Sequence, residues 1–145
     1  SKEAIETKAI SDIQLFLCFF GVEYKFDSEI SSSIELPNGF GGEPFDTDVV
    51  IWLDEIDPEE NDYLIRMNSV TNSTQLTKAT YDYLNSLTEK MGGKKIKFED
   101  FPLVMNNIWT VSRIHGSGWV LQAIETKETV SHCVTQINEL SISLE

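Results

Sequence analysis

Between Asn72 and Gly93 the sequence spells out one complete amphipathic helix, with strand-length runs joined by short turns on both sides of it. Asn72-Ser73-Thr74 offers capping side chains, and Leu76, Ala79, Tyr83, Leu84, Leu87 and Met91 form one apolar stripe. Gly92-Gly93 ends it. After the helix, Ile108–Ile114 and Trp119–Ile124 flank His115-Gly116-Ser117-Gly118, a hairpin pattern. Before it, Val49–Leu53 and Tyr63–Val70 flank Pro58-Glu59-Glu60-Asn61 in the same way. Strands joined by short turns pair antiparallel. With no regular strand–helix alternation, a doubly wound parallel sheet is disfavoured.

The remaining segments are less sharply written. Ile5, Ala9, Ile13, Leu17 and Phe20 recur at helical spacing ahead of Gly21, which predicts an N-terminal helix. Val22, Tyr24 and Phe26 alternate, as do Ile30, Ile34 and Leu36, and read as two short strands around Asp27-Ser28-Glu29. Lys94–Phe98 reads as another short strand. Thr126 can cap a last helix whose Val130, Cys133, Val134, Ile137 and Leu140 share one face. Leu36–Asp48, rich in Gly and Pro, reads as a long loop carrying Phe40 and Phe45. The expectation is a single α+β domain over residues 1–145. Its sheet is mostly antiparallel, of about six or seven strands, with N-terminal, central and C-terminal helices.

Charge narrows the function. Twenty-four acids against eleven bases give a formal charge of −13. Direct nucleic-acid binding needs clustered Lys and Arg, and an anionic membrane surface would repel this chain. The longest apolar run, Leu15–Phe20, falls far short of the roughly 20 residues of a spanning helix. The N-terminal residues lack the pattern of a secretion signal, and two cysteines in apolar surroundings suit reduced thiols, so the expected location is the cytoplasm.

The chain offers little chemistry. Its soft metal ligands are Cys18, Cys133, His115 and His132, with no Cys-x-x-Cys or His-x-x-x-His, so no metal site is assigned. A calcium loop starting at Asp57 would need Gly and Glu where Asp62 and Asn68 stand. Gly39-Phe40-Gly41-Gly42 is followed by acids rather than the lysine of a phosphate cradle. No Gly-x-Ser-x-Gly elbow occurs, and Cys18 and Cys133 sit where thiols are inert. No catalytic residue and no cofactor are assigned; a small hydrolase using His115 stands as the remote alternative.

The distribution of the acids is more telling. Glu43, Asp46, Asp48, Asp54, Glu55, Asp57, Glu59, Glu60 and Asp62 fall in one stretch without a Lys, Arg or His. Taken alone, such a stretch is a solvated surface. Beside the loop of Phe40 and Phe45 it reads as a partner-binding patch, with aromatic anchors inside a steering field. A counter-patch of Lys90, Lys94, Lys95 and Lys97 could meet the acids of a second copy and give a homodimer. The leading expectation is therefore a non-enzymatic, acidic protein-binding module. Its partner would be a basic protein, as for an inhibitor or immunity protein that neutralises a nuclease-type toxin.

The stretch Phe20-Gly21-Val22-Glu23-Tyr24-Lys25-Phe26-Asp27 and the order helix, strands, helix, strands, helix resemble the type III secretion chaperone fold. That resemblance implies a homodimer holding an unfolded effector segment along apolar grooves. It carries no specific motif and assigns no residue a role.

Overall fold

The computed structural model describes residues 2–132 and 134–144. Its centre is a six-stranded antiparallel sheet in which each strand pairs with its sequence neighbours. The strands are β1 (Glu29–Leu36), β2 (Phe45–Asp57), β3 (Asp62–Thr71), β4 (Met105–His115), β5 (Val120–Ser131) and β6 (Val134–Ser143), in that spatial order. Helix α1 (Lys2–Phe16) precedes the sheet. Helix α2 (Ser73–Lys90), followed by one 3₁₀ turn at Phe98–Asp100, connects β3 to β4. The α+β class and the antiparallel sheet are thus as the sequence predicts.

Local chemistry explains the central elements. Asn72 caps α2, its Oδ1 accepting from the amides of Thr74 (3.0 Å) and Gln75 (3.1 Å). At the other end Gly92 takes the left-handed conformation (φ 71°), and the amide of Gly93 returns to the Thr88 carbonyl at 2.8 Å. The β2–β3 hairpin turns through Pro58–Asn61, with Asp57 Oδ1 accepting from the amides of Glu59 (2.9 Å) and Glu60 (3.1 Å).

Burial is concentrated on one face of the sheet. The register sets Val49 beside Ser69, Ile65 beside Ser112, Ser112 beside Ala123 and Ile114 beside Val120, and all of these are buried. Phe19, in the turn after α1, joins Ile65, Ile114 and Val120 to form the core, with Phe16, Tyr24, Ile51, Leu53, Tyr63 and Met67 packed around it. Helix α2 is pinned to the start of β4, where Thr77 Oγ1 accepts from the Val104 amide at 2.9 Å. On the opposite face Val50, Trp52, Leu64, Arg66, Trp109, Val111 and Ile124 are only half-buried.

Several expectations are corrected. Among the described residues there are two α-helices and six strands, where three helices and up to seven strands were expected. The segment read as a C-terminal helix from Thr126 is the end of β5 followed by β6, with Ser131 paired to Val134. Val130, Val134 and Ile137 imitate a helical period, but the segment is dense in β-branched Thr, Val and Ile, and β4 offers a hydrogen-bonding edge to β5 as β5 does to β6. Cys133, which that helix included, lies outside the described residues.

Lys94–Phe98 forms no strand. Its Ile96 is instead tied to α2, exchanging two hydrogen bonds with the Asn85 amide (3.1 and 3.2 Å). Val22–Phe26 contributes only an isolated bridge between Phe26 and Leu53, because β1 already occupies the edge of β2. Phe45 is the first residue of β2 and is 7% exposed, so it belongs to the core and not to a loop surface. The apolar stripe of α1 is also not what packs inward: Leu15, Phe16 and Phe19 face the sheet, while Ile5, Ile13, Leu17 and Phe20 are exposed.

Candidate functional site

The nine acids of residues 43–62 occupy two places rather than one. β2 is extended at about 3.3 Å per residue, so roughly 20 Å of strand separates Asp48 from Asp54. At the near end, Asp46 exchanges hydrogen bonds with Gln75, its amide donating to Oε1 and its Oδ2 accepting from Nε2, both at 2.7 Å. Asp48 accepts from Ser33 Oγ at 3.3 Å. These two acids fasten β2 to α2 and to β1. Glu43 lies in the loop beside Phe40, and Phe40 stacks on Tyr83 of α2 with ring centroids 5.1 Å apart. Together they border an open cleft of about 540 Å³ between that loop and α2.

The far end gathers Asp54, Glu55, Asp57, Glu59, Glu60 and Asp62 on the β2–β3 hairpin. Two of them are neutralised from neighbouring strands. Arg66 Nε donates to Asp54 Oδ2 at 2.6 Å, and this hydrogen bond holds the Asp54 carboxyl below the usual carboxylate value. Arg113 Nη1 reaches both oxygens of Asp62, at 2.9 and 3.0 Å. That bond, with the fields of Asp62, Glu55 and Asp57, raises the guanidinium above its ordinary pKa. Asp57 shapes the turn through the two amides it accepts. Glu55, Glu59 and Glu60 are exposed to solvent.

A second turn is fastened to this tip. The amide of Gly116, between β4 and β5, donates to the Asn61 carbonyl at 2.7 Å, and Asn61 Nδ2 meets His115 Nε2 at 3.3 Å. His115 Nδ1 in turn receives the Ser117 amide (3.2 Å) and lies 2.7 Å from Ser117 Oγ. Because Nδ1 accepts a backbone N–H, a neutral ring carries its proton on Nε2, which calls for the Asn61 amide oxygen on that side. The imidazole and hydroxyl therefore serve as a turn lock. In the same turn Trp119 is 71% exposed.

Sequence reasoning missed Trp119 as an anchor because it had placed that residue inside a strand. Its signal was available: a tryptophan directly after the Gly118 of a hairpin turn has no strand neighbours to cover it. The two arginines that offset Asp54 and Asp62 were also missed, since both lie outside the acidic stretch in sequence. The lysine counter-patch is partly spent within the chain, Lys95 on Glu89 (2.8 Å) and Lys97 on Glu99 (3.4 Å).

Other chemistry is thin at these positions. Part of Cys18 reaches solvent, yet burial around its thiol pushes the pKa up to about 12, which keeps it protonated at neutral pH. Among the described residues no three His, Cys, Asp or Glu side chains converge as metal ligands, and no helix is long and apolar enough to cross a membrane. In comparisons with known proteins, no family model, no curated protein and no solved structure matches the chain.

Proposed function

We propose that this domain is a non-enzymatic binding module that docks on a basic, folded protein, in the manner of an inhibitor or immunity protein covering a toxin's cationic site. The contact surface is the end of the sheet where the β2–β3 and β4–β5 turns meet. Glu55, Glu59 and Glu60 supply carboxylates, Asp57 holds their turn, and Trp119 supplies the apolar anchor. The observation that carries this reading is the pairing of Gly116 with Asn61, which holds an exposed tryptophan's turn against an acidic hairpin tip. Acids on an ordered tip lose little conformational freedom on binding, and their field speeds encounter with a positive partner. An aromatic anchor next to them supplies the desolvated contact that charge alone does not.

The test is comparative capture from a lysate of the source cells, followed by affinity measurement on the purified partner. Wild type should retain a basic partner at low salt and lose it as salt rises. Glu59→Lys with Glu60→Lys should weaken the association rate, and Trp119→Ala should raise the dissociation rate. Asp57 is best changed to Asn, which keeps the turn's acceptor while removing the charge. A partner held unchanged by all three variants would refute this surface. A partner held through an extended segment and indifferent to salt would support the chaperone alternative instead.

A further inference from the structure

Helix α1 has two apolar faces, and only one is used by its own sheet. Leu15, Phe16 and Phe19 anchor its C-terminal end in or against the core. That anchorage fixes the helix rotation and turns Ile10, Ile13, Leu17 and Phe20 outward. Ile10 and Ile13 lie on α1 and Leu17 and Phe20 in the turn that continues it, at the 3-4-3 spacing of a helix–helix seam. With Ile5 they are 47–72% exposed, and Val22 extends the surface past the helix. We propose that this seam is the contact of a symmetric homodimer, with α1 of one chain packed against α1 of a second copy.

Three observations favour a second copy as the occupant. From those fractional exposures the seam and its flanks present roughly 600 Å² per chain, so a two-fold pair that covered all of it would bury at most about 1,200 Å², the lower end of the range for specific complexes. An apolar patch of that extent is at the upper end of what monomers leave in water, where patches are often functional. The helix is also the part of this acidic chain where self-approach is least opposed. Residues 2–20 carry Lys2 and Lys8 against Glu3, Glu6 and Asp12, a net charge of −1 out of −13. The expected lysine–acid contact between copies, by comparison, is half satisfied within one chain. The seam uses none of the side chains assigned to the acidic tip, so it does not depend on the proposed partner reading.

Sedimentation equilibrium of the whole chain at ~1–200 μM and moderate salt decides the matter. Wild type should show a monomer–dimer equilibrium. Ile13→Glu with Leu17→Glu should weaken it at least about tenfold while far-UV circular dichroism stays unchanged, because both side chains are largely exposed. The milder Ile13→Ser, Leu17→Ser pair gives the same reading if the charged pair does not fold. The Glu59→Lys, Glu60→Lys variant should still dimerise, which separates this proposal from that of the tip. Wild type that stays monomeric throughout overturns the proposal, as does a dimer indifferent to the seam variants. A monomer that instead co-sediments with phosphatidylcholine–phosphatidylglycerol vesicles also overturns it, in favour of a lipid surface.

Discussion

The amide of Gly116 donates a 2.7 Å hydrogen bond to the carbonyl of Asn61, tying the β4–β5 turn to the tip of the β2–β3 hairpin. Asn61 sits in the left-handed region (φ 54°) and lays its side chain against His115. The approach is close enough that only glycine fits opposite: a Cβ on residue 116 would stand 2.5 Å from the nearer polar atom of the Asn61 side-chain amide and 2.9 Å from Cγ. One contact therefore sets the relative position of the acidic tip and the turn of Trp119.

Gly116→Ala should displace the Asn61 side chain and lower the melting temperature by roughly 2–4 °C, for a loss of about 1 kcal/mol. Asn61→Gly removes the obstructing atoms and suits the positive φ. In that background the added Gly116→Ala change should cost much less, a coupling that a double-mutant cycle measures directly. Equal costs in both backgrounds would show that the contact does not hold the turns together.

Asp62 is buried to 7% exposure, and Arg113 is its charge partner. Arg113→Met should leave that carboxylate without a counter-charge beside Glu55 and Asp57. The Arg113 side chain is 37% exposed, so the expected loss is about 2 kcal/mol, below the 3–5 kcal/mol of a fully buried broken pair. Urea unfolding measures the loss. Asp62→Asn in the Arg113→Met background should recover much of it, because no buried charge is then left unpaired. No recovery would mean the loss is packing by the arginine stem.

Much of this arrangement was legible where local chemistry decides the structure. Asn72 announces α2, and the turns at Pro58–Asn61 and His115–Gly118 announce their hairpins, because capping and turn residues act within a few positions. What the sequence hid was decided by partners far along the chain. Residues 126–143 carry a spacing that fits a helix face, and only the edge of β4 for β5, and then of β5 for β6, makes them strands. The stripe Ile5, Ala9, Ile13, Leu17 and Phe20 is helical as far as Phe16, with Leu17 and Phe20 in the turn beyond, but periodicity says which residues share a face and not which face meets the sheet. The acids of residues 43–62 are contiguous in sequence, yet an extended strand carries them to opposite ends of the sheet, and the arginines that answer them come from β3 and β4.

Thr110 and Ser112 occupy the inner face of β4, fully buried, and neither hydroxyl has a hydrogen-bond partner among the described residues. A buried donor without a partner forfeits its hydration for nothing in return. Thr110→Val keeps the shape and the β-branched preference for a strand, and it should raise stability by about 1 kcal/mol. The urea midpoint should then rise by roughly half a molar at unchanged slope. A lower midpoint would show that the hydroxyl is bonded in solution.

The Arg66–Asp54 pair makes a statement about pH. The hydrogen bond from Arg66 holds the Asp54 carboxyl below its ordinary value of 3.8, so the folded state favours the ionised form more than the unfolded chain does. The stabilisation is fully present above the unfolded value, and it is lost as pH falls through the lower, folded one. Both side chains are substantially exposed, at 41% and 33%, so the effect is a fraction of a kcal/mol. Asp54→Asn should therefore melt slightly below wild type at pH 7, by an amount that stays constant down to about pH 5 and closes below pH 4. Raising the salt should narrow the gap at pH 7 as well, since a surface pair is screened. A gap that persists at pH 2 would show that the loss does not come from the carboxylate's charge, since Asn keeps an acceptor for Trp52 Nε1, 3.4 Å from Oδ1.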